Sequence, residues 1–112
     1  AALTPLGETP EAGGVRHRVE IRRVAFTPAH LVVAPGDTVV WVNRDLVPHT
    51  LTAEDGSWDS GMLEADQPWE LRVTEGMTGH YVCRFHPAMR GHVEVTHDPR
   101  WTHGTRSADP TP

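Results

Sequence analysis

Short apolar segments recur along this chain with a period of two, and no stretch repeats with the 3.6-residue period of an amphipathic helix, so strands are predicted throughout. Between Arg16 and Val24, Val19 and Ile21 alternate with Arg18, Glu20 and Arg22, the pattern of a strand with one buried face. Leu31 to Val33 follows, and then Pro35-Gly36-Asp37 marks a turn in which proline presets φ and glycine accepts a positive φ. Thr38 to Asn43 resumes the extended pattern, with Val39 and Trp41 on one face and Val40 and Val42 on the other. His49 to Thr52, the alternation of Trp69, Leu71 and Val73, His80 to Cys83 and His92 to Thr96 complete the series. About seven to eight short strands separated by Gly or Pro turns predict an all-β sandwich or small barrel, with Trp41, Trp69 and Tyr81 filling its core. The stretch from Ala53 to Pro68 is polar, carries Gly56 and Gly61, and is expected as a long loop or irregular strand.

A length of 112 residues supports one domain, expected over residues 15–97. Residues 1–14 mix Thr, Pro and Gly and read as a flexible leader, and residues 98–112, ending in Asp109-Pro110-Thr111-Pro112, as a flexible tail. The start at Ala1-Ala2 fits cleavage after small residues, so a removed secretory signal is expected. No apolar run approaches the roughly 18 residues that a membrane-spanning helix requires. With 15 acidic and 10 basic residues the formal charge is -5, and every basic residue is arginine; no basic stripe suited to nucleic acid emerges. A single cysteine, Cys83, excludes an intrachain disulfide, and it stands beside 8 histidines.

That cysteine opens a Cys-x2-His-x2-Met run, Cys83-Arg84-Phe85-His86-Pro87-Ala88-Met89, on what reads as one tight loop after a strand. Thiolate and thioether select copper, above all Cu(I), and imidazole accepts either oxidation state. A trigonal plane needs one more nitrogen, and His49, after Pro48 at the start of an upstream strand, can reach the loop across a sandwich. The predicted arrangement is His49, Cys83 and His86 in a plane around copper, with Met89 as a weak axial ligand. Asn43 and Asp45 are placed to hydrogen-bond the segment leading to His49, and the Thr50 amide is the candidate donor to the Cys83 sulfur. His17, His30, His80, His92, His97 and His103 read as solvated, with a weak second site at His97 and His103 the only further metal option.

From Arg18 to Thr96 the chain resembles the cupredoxins, the small blue copper proteins. The resemblance rests on Phe26-Thr27-Pro28, Val33-Ala34-Pro35-Gly36-Asp37-Thr38-Val39, Trp41-Val42-Asn43, Pro48-His49-Thr50, Gly79-His80-Tyr81-Val82-Cys83 and His86-Pro87-Ala88-Met89-Arg90-Gly91. The short spacing from Cys83 to Met89 is similar to that of the amicyanin-like branch. The resemblance implies a Greek-key β-sandwich of the cupredoxin-like kind, one type 1 copper cycling between Cu(I) and Cu(II), and outer-sphere electron transfer without enzyme activity. It also implies an electron port at His86, flanked here by Phe85, Pro87 and Met62, and a periplasmic or extracellular location. Two positions depart from the common pattern: Thr50 stands where many members have Asn, and Phe85 where many have Pro.

Arg84 and Arg90 put positive charge near that port, which suits a redox partner, a cytochrome or an oxidoreductase, with an acidic docking patch. A monomer is expected. Among competing functions, a copper carrier or delivery protein uses the same donors but favours an exposed, exchangeable site. A mononuclear zinc enzyme built on His49, Cys83 and His86 needs an open fourth position, and Met89 sits where its water would go. A thiol hydrolase lacks an oxyanion hole and room for a cleft.

Overall fold

The computed structural model describes residues 14–96. Apart from Gly14, the expected leader and tail lie outside these residues, as do His97 and His103. Eight strands run in the order β1 (Arg16–Arg22), β2 (Ala25–Thr27), β3 (His30–Val33), β4 (Thr38–Asn43), β5 (Thr52–Ala53), β6 (Pro68–Arg72), β7 (His80–Cys83) and β8 (His86–Val95). They form two four-stranded sheets, β2-β1-β4-β6 and β3-β8-β7-β5, and the chain crosses repeatedly from one to the other, as a Greek-key sandwich requires. Parallel pairing of β1 with β4 and of β3 with β8 makes both sheets mixed.

Alternation decides which residues enter the core. In β1, Val19 and Ile21 are fully buried while Arg18 and Arg22 are exposed. β4 lies between β1 and β6, and Val39 and Trp41 point inward from it. Trp41 pairs across the sheet with Trp69, and its indole N–H donates to the Tyr81 hydroxyl of the opposite sheet at 3.0 Å. Gly36 has the expected positive φ in the turn before β4.

Three local features depart from the sequence-based expectation. The strand expected over Arg16 to Val24 ends at Arg22, and a two-residue turn, Arg23-Val24, leads into β2. Both turn residues are left-handed, with φ of 54° and 59°, values that two-residue hairpin turns need but that Gly, Asn or Asp usually supplies. The polar stretch from Ala53 to Pro68 is irregular as expected, yet it sends Leu63 into the core and packs Trp58 against Trp41, Trp69 and Tyr81. Finally, β8 begins at His86 rather than after Met89. The tight loop shrinks to the turn Arg84-Phe85, with Cys83 and His86 paired across strands and a register shift at Val82/Cys83.

Candidate metal centre

Cys83 ends β7 on its inward face, two residues beyond buried Tyr81, and has no exposed surface. Because the two-residue turn sets Cys83 opposite His86, the sulfur stands 3.8 Å from His86 Nδ1. His49 arrives from the other sheet through residues 44–48, which Asn43 folds back at the end of β4. The Asn43 side-chain amide donates to the carbonyls of Val47 and Leu63, both at 3.0 Å, while its oxygen accepts the Asp45 N–H at 2.9 Å. Reciprocal backbone hydrogen bonds with Leu63 hold His49 in place, and its Nδ1 lies 3.6 Å from the Cys83 sulfur. The donor atoms of His49, Cys83 and His86 all fall within 4.8 Å of one another.

These distances fit a first-row metal ion. With bonds of about 2.1 Å to imidazole and 2.3 Å to thiolate, sulfur and nitrogen sit about 3.6 Å apart in a tetrahedral arrangement and about 3.8 Å in a trigonal one. His49 and Cys83 are fully buried and His86 is half-buried. Met89, on the inward face of β8, is buried in the same apolar cluster as Cys83.

Neighbouring groups orient these donors. The Thr50 N–H donates to the Cys83 sulfur at 3.3 Å, as expected. The Thr50 hydroxyl accepts the Arg84 N–H at 2.8 Å and pairs with Thr52, so Thr50 itself ties the His49 segment to the turn after Cys83. Asp45 does more than brace the approach to His49. Its carboxylate accepts His49 Nε2–H at 2.9 Å, which fixes the tautomer that leaves Nδ1 free toward the sulfur. The same carboxylate accepts the N–H groups of Arg23 and Val24, at 2.6 and 2.8 Å, and so holds the left-handed turn. Burial alone raises the Asp45 pKa, but the Val24 N–H, the His49 ring and the Arg23 N–H outweigh it and hold the carboxyl below its usual range. His17, read from sequence as solvated, instead donates to Asp37 at 2.8 Å.

Large apolar side chains lie exposed on the segments that carry the donors: Phe85 after Cys83, Leu46 and Val47 before His49, and Met62 beside Leu63. The first and last were expected around His86; Leu46 and Val47 were not. Arg84 and Arg90 are exposed, and each meets a carboxylate, Asp59 at 3.2 Å and Glu54 at 3.1 Å.

Residues 14–96 match the family described as copper binding proteins, plastocyanin/azurin family. A sandwich that closes a buried thiolate and two imidazoles between its sheets is a build of that kind, and the chain belongs to this copper-binding family, with copper as its cofactor. Within it, the chain is similar to amicyanin of Paracoccus denitrificans, at 34% identity over 82 residues that cover 69% of this chain and 63% of the relative. The match thus spans less than two thirds of that relative's length. Among solved structures it is similar to an oxidized proline-to-glycine mutant of amicyanin (TM-score 0.64, 31% identity, 75% of this chain and 83% of that one). A purple cupredoxin from Nitrosopumilus maritimus matches with a TM-score of 0.65 at 26% identity, over 71% of this chain and 99% of that one.

Proposed function

We propose that His49, Cys83 and His86 hold one copper ion with Met89 as a weak axial donor, and that the domain over 15–97 carries single electrons between redox proteins. Copper supplies the one-electron Cu(I)/Cu(II) couple. The observation that supports this most is the convergence of one buried thiolate and two imidazole nitrogens from separate segments of a rigid sandwich. Contacts within the protein hold each donor: His49 by Asp45 and Leu63, Cys83 by the Thr50 N–H, and His86 by pairing with Cys83. Donors fixed in this way change little between oxidation states, which keeps the reorganisation of each transfer small.

His86 is the electron port, since it is the half-buried member of the three and Phe85 beside it is exposed. The apolar rim formed by Phe85, Met62, Leu46 and Val47 excludes water from a docked interface. Arg84 and Arg90 suit a partner with an acidic docking patch, a cytochrome or an oxidoreductase. Exposed ion pairs are worth only about 0–1 kcal/mol, so the partner's carboxylates can displace Asp59 and Glu54, and association weakens with salt. The protein acts as a monomer in the periplasm or outside the cell; no helix among the described residues is long and apolar enough to cross a membrane. Buried donors drawn from separate segments favour retention over copper delivery, and Met89 argues against an open zinc site.

Reconstitution of the metal-free protein with Cu(II) tests the ligand set. Intense visible thiolate-to-copper absorption is expected, lost in Cys83→Ser and retained with a shifted potential in Met89→Leu. An unchanged spectrum in Cys83→Ser removes the proposal. Electron exchange with a cytochrome, measured by stopped flow across ionic strengths, tests the docking face; a rate indifferent to salt rules out the acidic partner patch.

A further inference from the structure

On the outer face of the second sheet, three histidines stand side by side on three adjacent strands. β8 pairs with β3 so that His92 lies opposite His30, and with β7 so that the same His92 lies opposite His80. Because Tyr81, Cys83, Gly91 and Val93 point inward, His80, His92 and Glu94 point outward, away from the copper centre. The His80 and His92 rings stack at 3.8 Å with 7° between their planes, and those of His30 and His92 at 5.2 Å with 18°. Glu94, two residues along β8 on the same face, accepts His30 Nε2–H at 2.8 Å. One donor atom each from His30, His92 and Glu94 falls within 4.8 Å of the other two.

We propose that His30, His92 and Glu94 form a second metal site, on the sheet surface, for a divalent ion of borderline softness such as Zn(II) or Cu(II), with His80 stacked on His92 to hold its ring. Imidazole nitrogen and carboxylate oxygen are the donor types such ions take. A strand surface supplies them in fixed positions, because cross-strand register rather than a loop conformation brings the side chains together. A bound ion would be shared among the three side chains and leave its remaining positions to water.

Isothermal titration of the copper-loaded protein with Zn(II) tests this. A single additional equivalent is expected to bind without changing the visible spectrum. His92→Gln and Glu94→Gln should each weaken binding by at least about tenfold, a loss that removal of even an outer partner of a metal site produces. Replacing His97 and His103 together should leave the affinity unchanged. Far-UV circular dichroism confirms that each variant is folded. Absence of zinc uptake, uptake unaffected by His92→Gln, or uptake lost on replacing His97 and His103 would each overturn the proposal.

Discussion

Gly91→Ala is expected to destabilise the protein severely, although it adds one methyl group. Gly91 lies opposite Tyr81 in the β7–β8 pair, on the inward face, and the phenol ring covers it. A Cβ built there stands 2.7 Å from Tyr81 Cε2 and closer still to Cζ and the hydroxyl. Carbon atoms settle at about 3.5–4.0 Å, so the ring must retreat by roughly an ångström. It has nowhere to go: Tyr81 is 1% exposed, with the rings of Phe26, Trp41 and Trp58 centred 4.7, 5.4 and 5.7 Å away. Overpacking of a filled core costs about 1–3 kcal/mol. Retreat also breaks the hydrogen bond from Trp41 to the Tyr81 hydroxyl, a loss of about 1 kcal/mol. The expected total is about 2–4 kcal/mol, and at roughly 4 °C per kcal/mol for a domain of this size Tm falls by about 8–16 °C. Urea and thermal unfolding of the metal-free protein, followed by tryptophan fluorescence, measure it. In a Tyr81→Leu background the same substitution should be nearly neutral, so a double-mutant cycle isolates the clash. A cost below about 0.5 kcal/mol, within the range of an ordinary surface change, or an equal cost in both backgrounds, refutes the steric account.

Asp45→Asn removes the carboxylate that accepts from His49 Nε2–H and is expected to lower copper affinity by about tenfold or more in chelator competition; an unchanged affinity means that Asp45 does not position His49. Asp37 has its carboxyl held below the ordinary 3.8: burial pushes upward, but the N–H groups of Val15 and Ala34 and the ring of His17 prevail. Its stabilising contribution is therefore complete above that value and lost as pH falls through the lower folded pKa. Asp37→Asn should flatten the acid limb of stability measured against pH, and an acid limb identical to wild type rejects this role. Removing copper should lower Tm, since a ligand at 1,000 times its Kd adds about 4 kcal/mol to the native state. Equal unfolding temperatures with and without copper would falsify a site that ties His49 to Cys83.

What was legible in the sequence is what local pattern encodes. Alternation in β1 and β4 identified the inward residues, and the spacing of Cys83 and His86 pointed to a candidate donor pair, which the two-residue turn sets opposite each other, whereas Met89 lies beyond that turn in β8. The Arg23-Val24 turn was hidden because neither residue is a turn former; its left-handed backbone is held by Asp45, more than twenty residues away. Trp58 and Leu63 sit in a polar stretch without periodicity, so nothing local distinguishes them from loop residues, and only the packing of the two sheets draws them inward. The row of His30, His80 and His92 was illegible for a related reason. Cross-strand register is a property of three separated segments, and each histidine taken alone looks like an ordinary surface residue.

The donor triangle has unequal sides in a mechanical sense. The edge from Cys83 to His86 lies within one hairpin, whereas the edge from Cys83 to His49 spans the gap between the sheets, because Asp45 fastens His49 to the end of β4 and to the β1–β2 turn. A change in sheet separation, produced by repacking around Trp41 or Tyr81, therefore stretches one edge and leaves the other alone. In the proposed site, copper would act as a thickness gauge for the sandwich: its absorption and potential would register core substitutions that never touch a donor residue, through the bond to His49.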